Sequence, residues 1–242
     1  MKNLKLLIFC LALLSFAMLA VPVAAQTRTV GVQSGDWFKY VVTVGGDITT
    51  IPPPFDVLIG IQWMKVQVTG VSGTNVTGQM TIHYQNGTET IVNGWVDVET
   101  GSGETGTMFS DWNGFLIAAN LGEGDTTYTS RNIMTINSTI DRSYPGGARA
   151  TNLVHRSGHS GEDYFWDDFY WDKSTGAMVE MDTNLVFLQG DTYVVMPLHI
   201  ILVDSQVWVV PEFSPMLMLA LFATLTLVAV VYKRKQLKTP SH

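Results

Sequence analysis

Three observations predict an all-β domain for this chain. Between its two apolar ends, β-branched and aromatic residues alternate with polar ones over successive short runs. Gly, Asn and Asp steps punctuate those runs, and a 3.6-residue periodicity is nearly absent outside the ends. Residues 26–207, about 180 residues, suit one domain of this class. The expected architecture is a single antiparallel, strongly curved sheet, or a barrel-like or sandwich arrangement. An N-terminal signal helix and a C-terminal transmembrane helix flank it.

Taken in order, Phe38 to Val44 alternates after the Gly35-Asp36 turn, and Ile61 to Thr69 does the same. Val76 to Tyr84 and Thr88 to Val98 flank Asn86-Gly87, a strong hairpin signal because both residues tolerate positive φ. Further strands are expected over Thr127 to Ile140, Ala150 to His155, Asp163 to Trp171, Ala177 to Phe187 and Thr192 to Val209. Phe115 to Leu121 is either a short helix or a buried strand, since an apolar run that short fits both. Gly45 to Asp56, with its Pro52-Pro53-Pro54 run, and Gly101 to Gly106 read as loops. Gly-Asp steps recur at Gly35-Asp36, Gly124-Asp125 and Gly190-Asp191. Turn chemistry accounts for them without an internal repeat.

The ends speak to address. Lys2 and Lys5 precede an apolar run from Leu6 to Leu19 and a small-residue exit at Val23, Ala24 and Ala25, the pattern of a secretory signal over residues 1–25. The alternative is an uncleaved anchor, for which the run is short. The chain's one cysteine, Cys10, lies inside that run. A mature chain would then hold no thiol, which excludes disulfides, cysteine nucleophiles and thiolate metal sites. At the other end Met216 to Tyr232 carries no charge and spans about 26 Å as a helix, enough for most of a bilayer core. Lys233, Arg234, Lys235 and Lys238 follow, so residues 233–242 are expected inside the cell and the β domain outside.

Between Gln26 and Tyr232 stand eight basic residues against all 21 acidic residues of the chain. A domain so acidic does not track a phosphate backbone, and nucleic acid is excluded as a partner. Sequons at Asn75, Asn86 and Asn137 are candidate glycosylation sites.

Chemistry-bearing residues concentrate in His155 to Met181. A metal reading would use His155, His159 and Glu162 or Asp163. The Ser157, Gly158, Ser160 and Gly161 spacing opposes the helix that such ligands would need, and a polar loop is expected instead. A glycan-cleaving pair from Asp167 and Asp168, with Glu162, fails because strand neighbours point to opposite faces. A third reading stacks sugar rings on Trp166, Tyr170 and Trp171 as a ligand platform, against the ordinary alternative that strand aromatics are core. Asp172 to Gly176 reads as a hairpin turn, with Asp172 capping and Gly176 left-handed. No phosphate cradle, nucleophile elbow or zinc-protease helix occurs, so no catalytic residue, cofactor or metal is expected and the chain is read as a non-enzyme.

Pro211-Glu212-Phe213, then an apolar segment, then a basic cluster, resembles the PEF-CTERM sorting signal of archaeal surface proteins. That resemblance implies recognition by an archaeosortase, removal of the helix and attachment of the new end to a membrane or envelope lipid. The family commonly continues Pro-Glu-Phe-Pro, whereas Ser214 intervenes here before Pro215. Residues 208–215 would be the linker that carries the signal. The Gly35 to Tyr40 stretch and the Tyr170 to Gly176 hairpin are similar to those of uncharacterised archaeal exported proteins. The hairpin is also faintly similar to curved-sheet, lipoprotein-carrier-like domains. The expected function is a cell-surface-anchored protein of binding or envelope-structural type, with envelope glycans or other surface proteins as partners. A carrier of lipid or another apolar ligand and a surface glycan hydrolase are the alternatives.

Overall fold

The computed structural model describes residues 27–47, 51, 55–103, 114–128, 133–160, 163–189 and 191–207. The expected signal over 1–25, the sorting motif at Pro211, Glu212 and Phe213, the span at 216–232 and the tail at 233–242 all lie outside these, as does Glu162. No helix among the described residues is long and apolar enough to cross a membrane.

The fold is all-β. Its strands are β1 (Trp37–Val44), β2 (Ile61–Ser72), β3 (Asn75–Tyr84), β4 (Glu89–Asp97), β5 (Thr126–Tyr128), β6 (Ile133–Thr135), β7 (Ser138–Tyr144), β8 (Gly147–Ser160), β9 (Asp163–Asp172), β10 (Met178–Gln189) and β11 (Thr192–Ser205). Nine of them form one antiparallel sheet in the order β4-β3-β2-β1-β11-β10-β9-β8-β7, and β5 and β6 make a separate ribbon. The sheet has two edges, β4 and β7, and does not close into a barrel. Hairpins link neighbours everywhere except at the centre, where β1 pairs with β11.

Alternation gives the sheet an apolar and a polar face. On the apolar face Phe38, Tyr40, Met64, Val66, Met80, Leu202 and Trp171 are wholly or almost wholly buried. The 114–121 segment covers part of it. It is neither the helix nor the full strand that its apolar run allowed, but an irregular, largely buried stretch with single bridges. Ile117 donates its N–H to the Gly176 carbonyl at 2.9 Å, and Met178 donates to the Phe115 carbonyl at 2.9 Å. The Phe115 ring packs edge-on against Tyr40 at 5.4 Å. Tyr40 donates its hydroxyl to the Met178 carbonyl at 2.9 Å, so the one polar atom on this buried ring is satisfied.

Several turns follow the local chemistry of their sequence. Asp36 Oδ2 accepts the Gln33 N–H and Asp125 Oδ2 accepts the Gly122 N–H, each at 2.7 Å, so the first two Gly-Asp steps build the same turn. At the β3–β4 hairpin only Gly87 takes positive φ, +82°, while Asn86 does not. Gly87 N–H bonds to the Tyr84 carbonyl and Tyr84 N–H to the Thr88 carbonyl, each at 2.9 Å. The loop is therefore the three-residue type with glycine in the left-handed position, not the two-residue turn that Asn-Gly suggested. Two strand limits also differ from expectation. The run Thr127 to Ile140 is divided among β5, β6 and β7, because Ile136 turns back to bond Asp125 while Asn137 N–H reaches the Leu153 carbonyl. The expected loop after His155 is instead strand to Ser160, where Gly158 makes room for Phe165: a Cβ there would sit 2.8 Å from its ring.

Candidate functional site

The polar face of β7 to β11 carries a row of ionisable side chains, and cross-strand register aligns them. His155 lies opposite Asp168, Asp168 opposite Asp182, and Asp182 opposite His199, a row running across four strands. The adjoining row aligns Leu153, Tyr170, Glu180 and Ile201. Glu180 belongs to this face because of a bulge. Met178 pairs with Trp171 on the apolar side, yet Glu180 rather than Val179 pairs with Tyr170. The extra residue reverses the alternation and re-aims the carboxylate.

Glu180 is 5% exposed and held tightly. Arg142 Nη2 donates to its two oxygens at 2.8 and 2.6 Å, and the Tyr144 hydroxyl donates to Oε2 at 2.8 Å. The Arg142 guanidinium also lies over the Tyr170 ring at 4.1 Å. Three strand spacings of about 4.8 Å separate β7 from β10, more than a tyrosine side chain spans on a flat sheet. The β7–β8 hairpin therefore bends over this face. Burial, reinforced by the bond to Glu180, pushes the Tyr144 hydroxyl well above the ordinary tyrosine range, so it stays a donor.

One arginine does not balance three neighbouring carboxylates. Asp168 and Asp182 stand directly opposite each other, an arrangement that like charges disfavour. His155 Nδ1 lies 2.6 Å from Asp168 Oδ1. His199 Nε2 is 3.5 Å from Glu180 Oε1 and 3.7 Å from Asp182 Oδ1, longer than ordinary hydrogen bonds. Burial, with the charges of Glu180 and Asp168, raises the Asp182 carboxyl above its usual range against the opposing pull of His199 and Arg142. Ligand atoms of Glu180, Asp182 and His199 lie within 4.8 Å of one another, the one such grouping among the described residues.

Toward the β10–β11 turn the same face becomes aromatic. Tyr193 is 52% exposed and Trp166 is 40% exposed, with Val195 exposed beside them. The Tyr164 ring touches Tyr193 at 5.6 Å and His159 at 5.4 Å.

The expected platform of Trp166, Tyr170 and Trp171 does not form as a unit. Trp171 has no exposed surface, faces the apolar side and donates its indole N–H to the Gly114 carbonyl at 2.9 Å. Tyr170 is buried beneath Arg142. Trp166 alone remains available, joined by Tyr164 and Tyr193. Tyr164 was within reach of sequence reasoning, since it shares parity with Trp166. Tyr193 needed the β10–β11 register.

The other readings are also resolved by parity. His155 and His159 share the polar face but lie about 13 Å apart along β8, while Asp163 accepts a bond from the Leu188 N–H. Those ligands do not converge. Asp167 is buried on the apolar side with Arg156 Nε at 2.6 Å, and burial raises its carboxyl despite that partner. It cannot act jointly with Asp168. Of the sequons, Asn86 and Asn137 are exposed and Asn75 is half-buried at the start of β3. Asn86 Oδ1 accepts from the Thr88 N–H and hydroxyl, and Asn137 Oδ1 accepts the His155 N–H at 2.7 Å. No family model, no curated protein and no solved structure matches this chain.

Proposed function

We propose that this chain is an exported, cell-surface protein, anchored through its C-terminus, whose β domain works by binding an envelope glycan rather than by catalysis. The observation that carries the reading is the strip of exposed Trp166, Tyr193 and Val195 with half-buried Tyr164, set beside the carboxylates and histidines of the same face. Aromatic faces stack on sugar rings, and carboxylates accept the hydroxyl hydrogens around them. The buried carboxylate of Glu180 is already engaged by Arg142 and Tyr144, which makes it a poor general acid or base. A carrier of apolar ligands would use the apolar face, part of which the 114–121 segment covers. The address rests on sequence: the signal-like residues 1–25, the uncharged run 216–232 and its basic flank, with Pro211, Glu212 and Phe213 as the archaeosortase signal.

Co-sedimentation with purified envelope polysaccharide of the host tests the binding reading. Binding by the wild-type chain, lost in Trp166→Ala and Tyr193→Ala but kept in Trp63→Ala on β2, is expected. Absence of binding, or binding indifferent to both strip variants, refutes it.

A further inference from the structure

We infer that Glu180, Asp182 and His199 form a binding site for a divalent transition-metal ion of the Zn2+ class. Two features of one atom, His199 Nε2, point to the ion. The first is geometric. An ion bonded at about 2.1 Å to each ligand holds neighbouring ligand atoms about 3.0–3.5 Å apart. The separations of His199 Nε2 from Glu180 Oε1 and Asp182 Oδ1, 3.5 and 3.7 Å, are too long for good hydrogen bonds and close to that spacing.

The second feature is an orphaned atom. His199 Nε2 has under 1 Å² of accessible surface and no hydrogen-bond partner, and it is directed between two carboxylates. A buried imidazole nitrogen left so is costly unless something is bound there. The charge around it agrees: Asp168 and Asp182 stand opposite each other beside Glu180, whose guanidinium partner is Arg142.

The surroundings resemble those of a built site. Arg142, on both oxygens, and Tyr144, on Oε2, fix the Glu180 carboxylate, the kind of outer support that orients a metal ligand. Asp182 and His199 remain part-exposed, at 47% and 38% of their side chains, so the site borders solvent and water can fill the ion's open positions. One imidazole nitrogen with two carboxylate oxygens favours Zn2+ or its neighbours over Ca2+, whose sites are built from oxygen. The inference does not depend on glycan binding, and its test contains no glycan.

The full chain, untagged and purified in detergent, is stripped with chelator and titrated with Co2+, whose visible absorption reports its ligand geometry, and then with competing Zn2+. About one equivalent of ion is expected. His199→Ala and Asp182→Asn should each weaken binding at least tenfold, with far-UV circular dichroism unchanged. His155→Ala and His159→Ala should bind as the wild type does, and equimolar Ca2+ should not displace Co2+. The assignment is overturned by absence of saturable binding to the wild type, by binding that survives in both His199→Ala and Asp182→Asn, or by binding that follows His155 or His159.

Discussion

Two glycines with nearly the same backbone conformation separate the cost of a left-handed residue from the cost of disturbing the core cover. Gly87 has φ +82° and open space where a Cβ would stand; Gly176 has φ +73°, and a Cβ there would collide with the Ile117 carbonyl oxygen. Alanine at either position carries the left-handed penalty of about 1–2 kcal/mol. Gly87→Ala should cost no more than that. In Gly176→Ala the obstacle is backbone, so the 114–121 segment must lift. Lifting strains two cross-segment bonds, Ile117 N–H to Gly176 and Met178 N–H to Phe115, each worth about 1 kcal/mol. It also loosens Phe115, Leu116 and Ile117, whose full burial contributes about 1.5–3 kcal/mol apiece. Gly176→Ala should therefore exceed Gly87→Ala by about 2 kcal/mol or more. Urea unfolding followed by tryptophan fluorescence measures the difference, with equal slopes confirming comparable unfolding. Equal costs within about 0.5 kcal/mol, the ordinary scatter of additive effects, would refute the seating of that segment on Gly176.

Asp182→Asn tests the electrostatics of the polar face in chelator. Because the folded-state pKa of Asp182 is raised, the folded chain holds more proton than the unfolded chain above about pH 3.9, and stability falls as pH rises through that window. The variant should thus melt higher than wild type at pH 7, the gap closing below about pH 4; a lower melting temperature at pH 7 would contradict it. Residues 26–207, which hold no cysteine, should fold when expressed in a reducing cytoplasm, as a cooperative thermal transition would show. If Pro211-Glu212-Phe213 is processed in the host, the mature chain ends near that motif, lacks Met216 to His242 and carries lipid mass. Recovery of a C-terminal peptide containing Lys238 to His242 from cells with an active archaeosortase would count against processing.

Strands such as Phe38 to Val44 and Val76 to Tyr84 were legible because alternation reports burial of one face directly. The left-handed Gly176 and the capping carboxylate of Asp172, which accepts from Ser174 and Thr175, were legible because turn chemistry is local. The alignment of Glu180 with Tyr170 was not legible, since it depends on an extra residue at Val179 that no pattern marks. The pairing of Asp182 with His199 lay nearer to hand. Folding the chain about the Gly190-Asp191 step brings the two opposite each other, and Glu180 and Asp182 share a face by parity alone. The reach of Arg142 and Tyr144 to Glu180 stayed hidden because it crosses three strands and depends on how the β7–β8 hairpin bends.

The place of β11 sets how the domain bears load. The strand nearest the C-terminal segment lies mid-sheet, antiparallel to β1 on one side and to β10 on the other, and its last residue, Ser205, faces Phe38 at the start of β1. Tension entering through the C-terminus pulls β11 along its own axis. Both ladders are then sheared at once, and their bonds resist together instead of opening one at a time as they would at a sheet edge. An anchor joined there would tug against the strongest line in the sheet, while the edges β4 and β7 stay slack.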